Sequence, residues 1–275
     1  MRQSFGRGEG NRKRLFIAAG FALMALPLLS RTATGGDGVD WLGLQPQDFV
    51  IVSPDTKTAI GRGHYNGDRF PGGITLHGEN RFTDGQYDLE DETIIAPAPG
   101  TWRLTQYSHS FFNADGSPQR VARADLTSGY AVCQDFTSGT ERDRAERLTI
   151  PSGTIAGGSI SISVQLLYRA GDLDARDLHI FACAPGPKVI DLDLKTPTAD
   201  VWQLYGKPTM RVDATPDFGV LSLLVAPFAP KVDFWFDSQN RWNLVGAELP
   251  RYYRGPEILM VKSKPMADPA AANKP

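Results

Sequence analysis

The sequence predicts a mainly β protein: a large curved antiparallel sheet, a half-barrel or open barrel, with at most one or two short helices. Its 275 residues include 28 glycines and 20 prolines scattered without a period, the punctuation of many short strands and turns. Strand-like runs follow one another between short turn clusters with no long helical intervals, so neighbours in sequence must pair in antiparallel order. The strongest hairpin signal is 231–248. There Val232, Phe234 and Phe236 alternate with Asp233, Trp235 and Asp237, Asp237-Ser238-Gln239-Asn240 forms the turn, and Trp242, Leu244 and Ala247 return. Aromatic cross-strand pairs contribute about 0.2–1 kcal/mol each, which makes this hairpin a core organiser.

The elements follow in chain order. Arg12, Lys13 and Arg14 run into the uncharged segment Leu15 to Leu29, with small polar residues after it, the order of an export signal. The apolar run is too short to cross ~30 Å of hydrocarbon at ~1.5 Å per helical residue, and Pro27 interrupts its end. A cleaved signal over 1–30 is therefore favoured. Because Leu28 and Ser30 meet the small-residue rule only loosely and Arg31 spoils the next register, an uncleaved anchor is the alternative. The protein is expected to be exported and periplasmic, or held at the inner membrane by that segment alone.

A Gly/Thr/Asp-rich linker is expected over 31–47, one β-rich domain over 48–263, and a disordered Pro/Ala tail over 264–275. Strand-like runs lie near 49–54, 57–65, 74–82, 86–95, 101–112, 119–126 and 129–136, divided by turns such as Asp84-Gly85 and Asn113-Ala114-Asp115-Gly116. The segment 154–170 has helical length and Gly171 as a C-terminal stop, yet Ile160, Ile162 and Val164 alternate as in a strand; helix is the favoured reading. Strand signals resume at 177–184, 187–195, 199–205 and 208–213. The run 220–228 suits either type, and 257–262 is the last strand.

Cys133 and Cys183 fall in two strand-like segments, and in an oxidising compartment they are a disulfide candidate. The alternative is a pair of buried thiols. A net charge of -2 with interspersed signs gives no footprint for nucleic acid.

Motifs for chemistry are sparse. There is no Gly-x-Ser-x-Gly elbow, His-Glu-x-x-His, Cys-x-x-Cys or phosphate loop, and Gly61-Arg62-Gly63 fails as a dinucleotide motif because Asn66 stands where the third glycine belongs. No cofactor is expected. Of four histidines, His64, His77 and His109 cluster early, and with Asp68 they are the candidate metal set of a hydrolase or metal-dependent enzyme. Asp88, Glu90, Asp91 and Glu92 read as a solvated strand face or edge. Glu141 to Arg147, six charges in seven residues, reads as a solvated hairpin or a charged edge that discourages aggregation. His109 sits between hydroxyls in 107–112 without a defined third partner.

The phrase 111–116 in a hairpin, together with 227–237 and 242–246 and the export signal, resembles uncharacterised exported bacterial β-proteins, domains of unknown function. In architecture these are similar to the periplasmic half-barrels of lipoprotein carriers, where a curved sheet wraps one or more helices. The resemblance spans 48–262 and transfers no catalytic residue. Export together with the β-rich composition leads to the expectation of a non-enzymatic envelope protein whose concave, aromatic-rich face binds an apolar or amphiphilic ligand such as a lipid, with ordinary core packing as the alternative role of those aromatics. Trp202, Phe234, Phe236 and Trp242 are the expected lining. A structural or protein-interaction module with envelope partners, using free sheet edges, is a third reading.

Overall fold

The computed structural model describes residues 46–96, 102–137, 142–170, 178–184, 186–217, 232–239, 243–252 and 254–263. The run 220–228 and Trp242 lie outside them, as do the signal, the linker up to residue 45 and the tail from residue 264. Among these residues fifteen strands form one antiparallel sheet with a single helix. The amino-terminal strands are β1 (Gln47–Val52), β2 (Ala59–Phe70), β3 (Gly73–Phe82), β4 (Tyr87–Ile95), β5 (Arg103–Phe112), β6 (Pro118–Asp125), β7 (Tyr130–Asp135) and β8 (Arg142–Arg147). After helix α1 (Ser159–Ala170) come β9 (Leu178–Cys183), β10 (Pro187–Leu194), β11 (Thr198–Trp202), β12 (Lys207–Asp217), β13 (Val232–Asp237), β14 (Leu244–Pro250) and β15 (Glu257–Lys262).

The two halves meet at the centre of the sheet, where β1 pairs with β15. From there the order runs outward through β2 to β8 on one side and through β14, β13, β12 and β10 to β9 on the other; β11 pairs beside β12. The outermost strands, β8 and β9, are consecutive in sequence, and the segment joining them carries α1 across the concave face. Register shifts at Ile51/Val52, Thr93/Ile94, Phe111/Phe112 and Trp235/Phe236 bend the strands locally. The sheet curls so far that its margins touch: Cys133 of β7 and Cys183 of β9 form a disulfide, with Cα atoms 5.7 Å apart. No ladder joins β8 to β9 among the described residues, so the sheet is an open, barrel-like curl.

The helix starts later than the expected 154. Ile155 instead makes a parallel bridge to Ile180 of β9, donating its N–H to the His179 carbonyl and accepting from the Phe181 N–H, each at 2.8 Å. The charged run expected at an edge is the edge strand β8.

Four apolar clusters fill the interior and one outer patch. Ile162 packs with Ile74, Ile94, Leu104 and Phe181 on one side, and Val164 packs with Leu192, Val212, Phe234 and Phe236 on the other. Beyond the seam, Phe49, Ile51, Ile258 and Met260 complete the concave core. On the outer face Trp202 stacks on Trp235, ring centroids 4.6 Å apart and 6° from parallel. Gly246 makes that stack fit, because a Cβ there would stand 2.1 Å from the Trp202 ring and 2.6 Å from the Met260 carbonyl oxygen.

Two outcomes test this arrangement. Replacing Cys133 and Cys183 by serine should lower unfolding stability by about 4 kcal/mol, the chain-entropy value for a loop of this length, read by denaturant titration; no change would mean the margins hold without the link. Gly246→Ala should destabilise by about 1–3 kcal/mol through overpacking, with a shift in tryptophan emission.

Candidate functional site

Strand parity decides which polar groups meet. On β2 and β3, His64 faces Glu79, Asn66 faces His77 and Asp68 faces Thr75 across the ladder, all on the outer surface. One residue out of phase, Gly78 opposes Glu90, and Glu90 opposes His109, on the concave side. The expected metal set is thereby split by the thickness of the sheet. His64 Nδ1 lies 2.7 Å from Asp48 Oδ1. His77 sits between Asp91, at 2.6 Å, and Asp68, at 3.4 Å. His109 is alone of the three inside. Among the described residues no three His, Cys, Asp or Glu side chains are placed to hold a metal ion.

The expected aromatic lining is also divided. Phe234 and Phe236 face inward and pack against the α1 side of the core, both buried. Trp202 lies on the opposite face against Trp235, whose indole N–H donates to Asp200 at 2.9 Å. Alternation along β13 places Trp235 and Phe234 on different faces, so Trp202 and the two phenylalanines line no common surface. A groove of about 520 Å³ elsewhere on the outer face, with Asp91, Arg123 and Tyr130 in its walls, touches none of them.

What the concave face does assemble is a polar cluster that the sequence had suggested would be solvated. Asp88, Glu90 and Glu92 alternate along the inner side of β4 and are all at least 95% buried, while Leu89 between them is 40% exposed. Tyr65 of β2, Asn80 of β3, and Tyr107 and His109 of β5 close around them. Asn80 Nδ2 donates to Asp88 Oδ1 at 2.8 Å and to the Tyr65 hydroxyl at 3.1 Å. His109 Nε2 is 3.2 Å from Asp88 Oδ1, and its Nδ1 lies 3.3 Å from the Tyr107 hydroxyl and 3.9 Å from Glu90 Oε1. Arg251, in the turn after β14, brings Nε within 3.5 Å of Asp88 Oδ2, donates from Nη1 to Gln86 Oε1 at 2.7 Å, and lays its guanidinium 3.7 Å over the Phe82 ring.

The helix enters this cluster by its amino terminus. Both carboxylate oxygens of Glu92 stand 3.1 Å from the Ser159 N–H, so β4 supplies the acidic group that the first turn of α1 lacks. Gly157, at φ +46°, allows the chain to pass Glu90, since a Cβ there would fall 1.6 Å from Glu90 Oε1. Even so, Glu90 Oε1, Asn80 Oδ1 and Arg251 Nε and Nη2 make no hydrogen bond.

Burial dominates the electrostatics. It pushes the Glu92 carboxyl well above its usual range, with Glu90 adding to the rise and Ser159 pulling against it. Glu90 is also raised by burial, against the pull of His109. Burial alone would lower His109, but Glu90 and Asp88 together bring it above the usual imidazole value. Burial raises Tyr65 and Tyr107 well above the phenol range, so both stay neutral donors and acceptors. The cluster is thus a low-dielectric pocket of charge-capable groups, the environment in which proton affinity is tuned.

No family model matches this chain, and no curated protein does. Among solved structures, it is similar to a β-barrel-like protein of a domain of unknown function, DUF1849, from Brucella abortus. That match has 11% identity and a TM-score of 0.44 and covers 80% of this chain and 95% of that one.

The raised groups fix the sign of a pH dependence. Glu90, Glu92 and His109 hold protons more tightly folded than unfolded, as does Asp233 on the outer face, raised to about 6 chiefly by burial. Each contributes stability that is full below its unfolded value and is lost as pH rises through its folded one. Asp115, Asp125 and Asp135, lowered mainly through turn hydrogen bonds opposed by burial, act oppositely and only in acid. The melting temperature should therefore fall between pH 5 and pH 8, and Glu92→Gln should narrow that fall. A melting temperature that rises over this range would contradict the assignment.

Proposed function

We propose that this protein is an exported, non-enzymatic cell-envelope protein that binds an amphiphilic ligand on the concave face of its sheet, in the space α1 now occupies. The observation that carries this reading is the two-sided lining of that face. One wall, on β2 to β5, carries the carboxyl, imidazole and phenol cluster; the wall on β10 to β14 is apolar, with Leu192, Val212, Phe234 and Phe236. Such a surface matches a molecule with a polar head and an apolar chain.

Helix α1 is a suitable occupant to displace. It has 12 residues, begins Ser-Ile-Ser-Ile-Ser-Val, and so combines poor helix propensity with marginal length. Ser161 and Ser163 turn their hydroxyls back onto the carbonyls of Gly158 and Ser159 at 2.8 Å, which weakens a helix slightly. Tertiary contacts alone hold it.

Export is supported by the basic and apolar start of the chain and by the disulfide, which persists in oxidising compartments. Among the described residues no helix is long and apolar enough to cross a membrane. The metal-enzyme reading loses its ligand set to strand parity.

Native mass spectrometry of protein taken from its own envelope, followed by titration with single-chain amphiphiles, tests the reading. A bound species of lipid mass and saturable binding are expected, with loss of protection from hydrogen exchange in α1. A ligand-free protein that binds no amphiphile would overturn it.

A further inference from the structure

The polar wall is short of one cation and holds unsatisfied groups of both kinds. Three carboxyl groups, Asp88, Glu90 and Glu92, face one fixed positive charge, Arg251, and one titratable one, His109. Arg251 and His109 both lie closest to Asp88, at 3.5 and 3.2 Å. Glu90 is met by Tyr107, by Gly158 and more distantly by His109 at 3.9 Å, and Glu92 by Gly158 and Ser159, so both acids lean on the amino terminus of α1, whose N–H groups act as a partial positive charge of about half a unit. That end is a poor substitute for a cation, for Glu90 Oε1 accepts no hydrogen bond despite being 95% buried. Asn80 Oδ1 is a second buried acceptor without a donor, on a side chain anchored in the cluster through Asp88. The unmet donors are on Arg251, whose Nε and Nη2 make no hydrogen bond although the side chain is 94% buried. Buried polar groups left open in this way normally have partners, from the protein, water or a ligand.

We propose that the cluster is a headgroup site for a zwitterionic amphiphile, with an ammonium group on Glu90 and Asn80 and an anionic group on Arg251. This rests on the amphiphile-binding reading above. An ammonium offers N–H donors and the full charge that the helix end supplies only in part, and a phosphate or carboxylate accepts from a guanidinium. Withdrawal of Gly157, Gly158 and Ser159 from Glu90 and Glu92 makes room for the head, and the same movement takes Val164 off Phe234 and Phe236 for the chain. Helix α1 is in this sense an internal stand-in for the ligand: an N–H-rich end on the acids and an apolar middle on the phenylalanines.

The test is calorimetric titration of the full chain with three probes of one acyl length: lysophosphatidylethanolamine, lysophosphatidylglycerol and a monoacylglycerol. The zwitterion should bind at least tenfold more tightly than the anionic or neutral probe. Glu90→Gln should remove that preference, read as the ratio of zwitterion to monoacylglycerol affinity within the variant itself. Equal binding of all three probes by the parent protein would overturn the headgroup assignment and leave amphiphile binding standing. Binding of none would remove the broader reading as well. The comparison on the parent chain decides the matter even if the variant fails to fold.

Discussion

Among the described residues one helix covers a fifteen-stranded sheet, which buries its inner face by curling until its own margins meet, and the Cys133–Cys183 link holds them together. Every other feature of the interior follows from that closure. The strands at the margins are consecutive in sequence, and α1, which lies between β8 and β9 in the chain, sits inside the curl. It therefore becomes the filling of the core. The outer face receives what the curl leaves out: the Trp202–Trp235 stack, and the histidine–aspartate pairs of β2, β3 and β4.

Closure also imposes an electrostatic cost. Moving an ion into a protein interior costs several kcal/mol after relaxation, whereas a hydrogen bond to a charged group returns about 1.5–3 kcal/mol. Hydrogen bonds from Ser159 and Gly158 reach Glu92, and they do not offset burial. Burial therefore raises Glu90 and Glu92 although both face the positive end of a helix. A core built for stability alone would place leucine or valine at these positions. Three carboxyls in alternation on one buried strand face are a departure from that rule, and such departures concentrate where proteins bind or react.

Most strand positions were legible because alternation and turn chemistry agree locally: β4, β13 and β15 lie within a residue or so of their expected ends. The charged run of β8 was legible as an edge because six charges in seven residues suit little else. The faces of β4 were not. Its Tyr87, Leu89 and Thr93 would ordinarily mark the buried side and its acids the wet one, yet Leu89 is exposed and Asp88, Glu90 and Glu92 are inside. The inversion is set by pairing with β3 and β5, a tertiary fact. One signal was present: Asp88, Glu90 and Glu92 repeat at period two, as do Tyr107, His109 and Phe111 on the adjacent strand. The split of Trp202 from Phe234 and Phe236 was hidden for the same reason, since it depends on how β11 folds beside β12.

On the proposed reading the cluster holds a charged group rather than transforming one. A general acid or base has to reach the proton it transfers, directly or through one water. Here Glu92 is engaged with Ser159, and Gly157 lies against Glu90, so no substrate approaches until the first turn of α1 withdraws. Withdrawal exposes Phe234 and Phe236 at once, and that exposure is unfavourable unless something apolar replaces the helix. An acyl chain burying roughly 200 Å² of apolar surface gains about 5 kcal/mol at 25 cal/mol per Å², which acts against the cost of uncovering the core. A small polar substrate offers no such compensation. The proposed ligand is one that fills both walls, because the polar and apolar sides are uncovered together when the helix leaves.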